Sequence, residues 1–252
     1  MPRFDQHFLR TEGYARRIAA AVSPLSDETI LEVGPGTGAL TRYLLQKGHP
    51  YIGIEIDKSC INQLALLEGP APIRWICQDF LRVELPQQPL YFVSNLPYSI
   101  TGPTLFRILE HRFWIREGVI MLQAEVAQRL YASPNSSAYG RVSVLFQSVY
   151  ETRRLFQVPK GAFSPPPRVE SEVVKFTRKA KIPLEAWESF AEVVRQAFRQ
   201  PRQTLARNLR SACLPCPAHQ ATRRPHQLSV EEYIALWQIA IQKGEIPTSK
   251  TA

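Results

Sequence analysis

Apolar positions follow two regimes along this chain. Up to about residue 176, short apolar runs bounded by turn residues alternate with amphipathic stretches; from Leu184 onward only helical spacing remains. Thr29-Ile30-Leu31-Glu32-Val33, Tyr51-Ile52-Gly53-Ile54, Ile73-Arg74-Trp75-Ile76-Cys77, Leu90-Tyr91-Phe92-Val93 and Val119-Ile120-Met121-Leu122-Gln123 read as strands. Arg153 to Val158 and Glu172 to Phe176 read as the last two. The spacing predicts helices over 11–22, with Tyr14, Ile18, Ala21 and Val22 on one face, over Ala39 to Gln46, Ala124 to Tyr131, and Arg141 to Val149. Beyond Leu184, Ala186, Phe190, Val193, Val194 and Ala197 share one helical face, and Leu205, Leu209 and Ala212 another. Ser229-Val230-Glu231-Glu232 has the form of a capping box opening a last helix with Tyr233, Leu236, Trp237 and Ile241. Strands alternating with helices, then helices alone, predict an α/β domain over residues 1–180 and a small helical domain over 181–252.

Polar residues collect at the carboxyl ends of the predicted strands, where open α/β sheets bind ligands. The first strand runs into Gly34-Pro35-Gly36-Thr37-Gly38 and then a helix, which is the form of a nucleotide-cofactor unit whose glycines admit close backbone approach. Its spacing is G-x-G-x-G, without the extra residue of the dinucleotide motif. The second strand ends at Glu55-Ile56-Asp57, and an acid there suits ribose hydroxyls. Dinucleotide enzymes place an acid there too, and a strand-end carboxylate is often merely solvated. The third ends at Asp79-Phe80, where Asp79 can accept from an adenine amino group and Phe80 can pack beside the ring. The fourth ends at Asn95-Leu96-Pro97-Tyr98. The Asn95 amide oxygen can accept from an N–H, Pro97 fixes the backbone and carries no donor, and Tyr98 offers a ring for stacking. Alone, this tetrad reads equally well as a turn with a core tyrosine. Four such strand ends in succession select a nucleoside-cofactor site.

Composition and charge add a partner class. Across 252 residues the net charge is +9, and apolar content of 44% is that of a soluble globular protein. Residues 1–152 carry 14 basic and 14 acidic side chains, whereas 153–252 carry 17 and 8, so the whole excess is C-terminal and suggests a polyanion. Arg199, Arg202, Arg207 and Arg210 fall outside the apolar helical positions and are candidates for a phosphate-facing edge. No apolar stretch is long enough to span a bilayer and the N-terminus lacks the apolar core of a signal peptide, so a cytosolic location with reduced cysteines is expected. Cys213 and Cys216 with His219 and His226 form a two-Cys, two-His set, but its histidine spacing fits no common zinc finger and no metal is assigned. Phe163-Ser164-Pro165-Pro166-Pro167-Arg168 is expected to form a stiff, exposed arch, with Phe163 either a core residue or a clamp for a base.

Taken in order, several motifs together resemble the KsgA family of small-subunit rRNA adenine N6,N6-dimethyltransferases over nearly the whole chain. They are Gln6-His7-Phe8-Leu9, Glu32-Val33-Gly34-Pro35-Gly36-Thr37-Gly38, Glu55-Ile56-Asp57, Asp79, Asn95-Leu96-Pro97-Tyr98, Met121-Leu122-Gln123 with Glu125-Val126, and the proline segment through Val169-Glu170-Ser171. The resemblance implies a class I S-adenosylmethionine-dependent methyltransferase, with a Rossmann-like seven-stranded sheet whose last strand is reversed, plus a small C-terminal all-helical domain that binds rRNA. It implies S-adenosyl-L-methionine held by His7, Leu9, Gly34, Gly36, Glu55, Ile56, Asp79, Phe80 and Asn95, and a catalytic set of Asn95, Pro97, Tyr98 and Phe163. The implied products are two adjacent dimethylated adenines near the 3′ end of small-subunit (16S-type) rRNA, made during ribosome assembly by a cytoplasmic monomer with no membrane partner. The alternatives are a large-subunit rRNA adenine methyltransferase of the antibiotic-resistance type, and a largely non-enzymatic assembly or transcription factor on the same fold. The chain departs from the family at Pro201-Arg202-Gln203, where Arg-Arg-Lys is usual; two charges are lost and a proline is expected to enter a helix.

Overall fold

The computed structural model describes residues 7–246; Gln6 of the N-terminal motif lies outside them. Chain order is β1 (Phe8–Leu9), α1 (Glu12–Ala21), β2 (Thr29–Val33), α2 (Thr41–Leu45), β3 (Tyr51–Glu55), α3 (Lys58–Leu64), β4 (Ile73–Cys77), β5 (Leu90–Asn95), α4 (Thr101–Glu110), β6 (Ile115–Gln123), α5 (Ala124–Tyr131), α6 (Arg141–Val149), β7 (Tyr150–Val158), β8 (Phe163–Ser164), β9 (Ser171–Arg178), α7 (Trp187–Ala197), α8 (Leu205–Arg210) and α9 (Val230–Gln242). Seven strands form one sheet in the order β4-β3-β2-β5-β6-β9-β7. β4, β3, β2, β5 and β6 pair in parallel, and β9 joins β6 antiparallel, with Gly118 opposite Phe176 and Gln123 opposite Ser171. The last strand is therefore reversed, as in the class I methyltransferase sheet. Separately, β1 and β8 pair antiparallel, Leu9 opposite Phe163.

Burial explains the arrangement. All five residues of β2 and of β3 are buried, as a parallel strand covered on both faces requires. Ile30, Tyr51, Tyr91, Val93, Val119 and Met121 form a core with Ile18 and Val22 from the α1 region and Leu44 and Leu45 from α2. Most predicted strands extend further than their apolar runs. Ser94 and Asn95 complete β5 because the Ser94 hydroxyl donates to the Val33 carbonyl at 2.6 Å. β6 begins at Ile115, its Arg116 and Glu117 each finding an ion-pair partner, in Glu28 and Lys175.

The chain clusters into two compact units. One comprises residues up to Ala127 with Thr152–Arg178; the other comprises Gln128–Glu151 with the chain from Lys179. Residues 128–151, read above as part of the first domain, thus group with the C-terminal helices. In this second unit, α7 buries Trp187, Phe190, Val193, Val194 and Ala197. Phe190 meets Trp237 edge-on at 6.2 Å, and the Trp237 indole N–H donates to Ser189 Oγ at 2.9 Å. The expected capping box is present: Ser229 Oγ accepts from the Glu232 amide, and Glu232 Oε2 accepts from the Ser229 amide. The proline at 201 does not enter a helix; Pro201 and Arg202 form an exposed turn between α7 and α8. Among the described residues, no helix is long and apolar enough to cross a membrane.

Candidate active site

β2 has β3 on one side and β5 on the other, so the strand order reverses there, and open sheets leave a crevice at such a switch point. A cavity of about 200 Å³ lies at that place. It gathers every residue named above for the cofactor or the catalytic set: His7 and Leu9 from the N-terminal segment; Gly34 and Gly36 from the turn after β2; Glu55 and Ile56 after β3; Asp79 and Phe80 after β4; Asn95, Pro97 and Tyr98 after β5; and Phe163 from β8. Glu32 also lines it, a residue quoted within a motif but given no role of its own.

The glycine turn is shaped by its backbone. Gly34, Gly36 and Gly38 have φ of +69°, +56° and +79°, which side-chain-bearing residues rarely adopt. A Cβ on Gly36 would also stand 3.0 Å from the Phe8 ring. The turn is tied to β3 twice: the Gly34 amide donates to the Ile54 carbonyl at 2.9 Å, and the Gly36 amide to Glu55 Oε2 at 3.0 Å. Glu55 Oε1 accepts from the Asp57 amide at 3.0 Å. Each oxygen of this buried carboxylate thus holds one backbone donor and keeps capacity for another. Asp57 caps α3 through the Ser59 amide at 2.8 Å, so Glu55 is the acid of that pair that faces the cavity.

Beneath the turn, Glu32 Oε2 accepts from Thr41 Oγ1 at 2.8 Å and from the Tyr51 hydroxyl. Burial, with the nearby Glu55 charge adding to it, pushes the Glu32 carboxyl up to about 7. At the far wall, Asp79 Oδ1 accepts from the Leu81 amide at 2.9 Å. Phe80 is buried against Phe92, ring centroids 5.9 Å apart. Arg107 of α4 steadies this loop by donating to the Val83 carbonyl at 2.6 Å. Ile56 is 45% exposed, an apolar side chain at the cavity's lip.

In the tetrad, Asn95 Nδ2 donates to the His7 carbonyl at 3.4 Å. A carbonyl only accepts, so this contact turns the amide nitrogen toward His7 and leaves Oδ1 without a partner among the described residues. The His7 imidazole donates from Nδ1 to the Pro165 carbonyl at 2.7 Å and lies 5.2 Å from the Tyr98 ring. The Tyr98 hydroxyl shares a 2.9 Å hydrogen bond with Ser171 Oγ, and burial raises the hydroxyl above its ordinary range.

The proline arch differs from its expectation in part. Pro165 and Pro166 are exposed, but Pro167 is buried, and Phe163 is a core residue at 4% exposure that also reaches the cavity wall. The Cys213, Cys216, His219 and His226 set is not brought together: among the described residues no three metal-ligating side chains cluster.

Known proteins resemble this chain over nearly its whole length. The sequence model of the ribosomal RNA adenine dimethylase family matches residues 1–236. The ribosomal RNA small subunit methyltransferase A of Xanthomonas axonopodis pv. citri (strain 306) is 40% identical over 244 residues, covering 92% of each chain. The protein of the same name from Flavobacterium johnsoniae is 39% identical over 241 residues, again covering 92% of each. The crystal structure of a dimethyladenosine transferase from Plasmodium falciparum superposes with a TM-score of 0.82 at 25% identity, covering 95% of this chain and 99% of that one. That of the 23S rRNA methyltransferase ErmE gives 0.64 at 27% identity, covering 92% and 98%. A match of this extent along both sequence and fold leaves one conclusion: the chain belongs to the ribosomal RNA adenine dimethylase family.

Proposed function

We propose that this protein transfers methyl groups from S-adenosylmethionine to N6 of two adjacent adenines in a hairpin near the 3′ end of small-subunit rRNA, giving N6,N6-dimethyladenosines. The observation that carries the reading is the cavity at the switch point. A glycine turn, a carboxylate with spare acceptor capacity and Asn95, whose amide oxygen has no partner among the described residues, all line one space there. The donor set fits the cofactor. Glu55 would accept from the ribose hydroxyls, and Asp79 from the adenine amine, with Phe80 and Ile56 covering the ring. Gly34 and Gly36 would let the backbone approach the methionine portion, and His7, Leu9 and Asn95 would close over it. When bound, S-adenosylmethionine supplies an electrophilic methyl carbon on a sulfonium, so transfer forms an N–C bond and breaks an S–C bond, leaving S-adenosylhomocysteine.

The chain's own residues supply aim and charge stabilisation. An adenine N6 lone pair is delocalised into the ring and is a poor nucleophile. Asn95 Oδ1 and the carbonyl near Pro97 accept from the amine as it becomes tetrahedral, which frees the lone pair and stabilises the developing positive charge. The His7 carbonyl keeps the Asn95 amide in the orientation this requires. Tyr98 and Phe163 hold the extruded base by stacking, each worth about 1–3 kcal/mol. No base with a lowered pKa is needed, because the proton leaves to solvent after transfer. The basic C-terminal part supplies the phosphate contacts, and the protein acts as a cytoplasmic monomer.

The test uses labelled S-adenosylmethionine with unmethylated small-subunit particles, large-subunit particles and naked rRNA in separate reactions. Label in dimethyladenosine from the small-subunit arm is the expected result. Label confined to large-subunit RNA would assign the chain to the other rRNA substrate, and none in any arm would leave a non-enzymatic role.

A further inference from the structure

Tyr98 is braced at its tip by a residue the mechanism above does not use. Tyr98 opens a short turn after Pro97, held by the Ile100 amide donating to the Pro97 carbonyl at 3.2 Å. A ring on such a turn has two free side-chain torsions, and a hydrogen bond at its far end removes both. That bond goes to Ser171 Oγ at 2.9 Å. Ser171 is 1% exposed and is the first residue of β9, in register with Gln123 of β6. Next to it, the Ala124 amide donates to the Glu170 carbonyl at 3.0 Å, so the strand start is fixed against the end of β6. Tyr98 is the partner of the Ser171 hydroxyl among the described residues. Pro165, earlier in the same arch, receives the His7 imidazole, whose ring lies 5.2 Å from that of Tyr98. Residues Pro165 to Ser171 thus contact the Tyr98 ring at its tip directly and along its side through His7.

We infer that Ser171 is a positioning residue that locks the Tyr98 ring in the plane against which the target adenine stacks, and that this lock matters most for the second methyl transfer. The inference rests on the reading of the cavity as an adenine N6 dimethylation site. Its chemical reason is that the two transfers make unequal demands. After the first, the nitrogen carries a methyl group, one N–H remains to aim the lone pair, and a bulkier amine must occupy the same space. A base held by a loosened ring still finds the first productive pose often enough; the second has less slack.

The test is a double-mutant cycle of Ser171→Ala and Tyr98→Phe, each deleting one end of the bond while keeping the ring. Single-turnover reactions on unmethylated small-subunit particles would be scored for monomethyl- and dimethyladenosine. Each single variant should slow the second transfer about threefold to tenfold, with a smaller effect on the first and unchanged cofactor affinity. The double variant should be no slower than the singles, because one shared interaction is lost once. Ser171→Thr, which keeps the hydroxyl, should return the product ratio toward that of the unaltered protein. Additive losses would overturn the inference, as would an unchanged product ratio in Ser171→Ala, or losses that vanish at lower temperature in step with altered thermal unfolding. The unaltered protein is the control for the underlying reading: if it produces no dimethyladenosine, that reading fails first.

Discussion

Glu32 is a carboxylate at the cavity whose ionisation the surrounding fold alters. Its ordinary value is 4.5, and burial with the Glu55 charge raises it to about 7. Between those values the unfolded chain carries a charge that the folded chain does not, so the stability this group contributes is present at low pH and falls as pH rises through about 7. Glu32→Gln keeps an acceptor for Thr41 and Tyr51 but has no charge to bury. Relative to the unaltered protein, the variant should gain on the order of 1–3 kcal/mol in stability between pH 5 and pH 7.5. Urea unfolding at several pH values measures this; curves that stay parallel would remove Glu32 as the cause. Asn95 and Ser171 show what a sequence hides at this scale. The tetrad announces Asn95, but the His7 carbonyl that orients its amide lies 88 positions away and the Ser171–Tyr98 bond spans 73. No local spacing encodes such pairs.

Elements decide how tightly the site can be held, and β6 leaves no room for an added side chain at Gly118. A Cβ on Gly118 would stand 2.5 Å from Phe176 Cζ and 2.6 Å from the Phe92 carbonyl, and the carbonyl belongs to a central strand that cannot yield. Gly118→Ala should therefore cost about 3 kcal/mol and lower the thermal midpoint by roughly 6–12 °C. Gly161→Ala, where nothing lies within 4 Å of the added carbon, should leave the midpoint nearly unchanged. Equal midpoints for the two variants would contradict the packing described. The parallel strands and the glycine turn were legible because both are local patterns: β2 and β4 match their predicted limits. α4 was not legible, because Gly102 and Pro103 open it and read as turn signals. In the first turn of a helix a proline loses no intrahelical bond. β8 is only two residues long, and its pairing with Leu9 is a long-range event. Arg116 and Glu117 disguised the start of β6, since their ion-pair partners lie in other elements.

At the scale of the whole molecule, the site and the net charge follow different divisions of the chain. The cavity draws on residues of the first unit alone, while the excess of nine positive charges lies within residues 153–252. Grouping of 128–151 with the C-terminal helices escaped the sequence because nothing in local composition marks which core a helix joins. Arg199, Arg202, Arg207 and Arg210 are exposed, and among the described residues none of them pairs with a carboxylate. If about six phosphates are neutralised, log K for RNA should fall with log salt with a slope of about −4 to −5. Neutralising Arg199, Arg202 and Arg207 together should flatten it by about 2 to 3 without changing cofactor affinity, and an unchanged slope would place the RNA surface elsewhere. The central claim is that Asn95 Oδ1 acts on the amine during transfer, and its most direct test is single-turnover methylation of small-subunit particles at saturating cofactor. Asn95→Ala should be slowed by roughly 10²–10³, the effect of losing one preorganised polar partner. Under the same conditions Glu55→Ala should recover most of its rate, because a ribose contact is made equally before and during transfer. Near-normal transfer by Asn95→Ala in that experiment would contradict the account and return the tetrad to a structural turn.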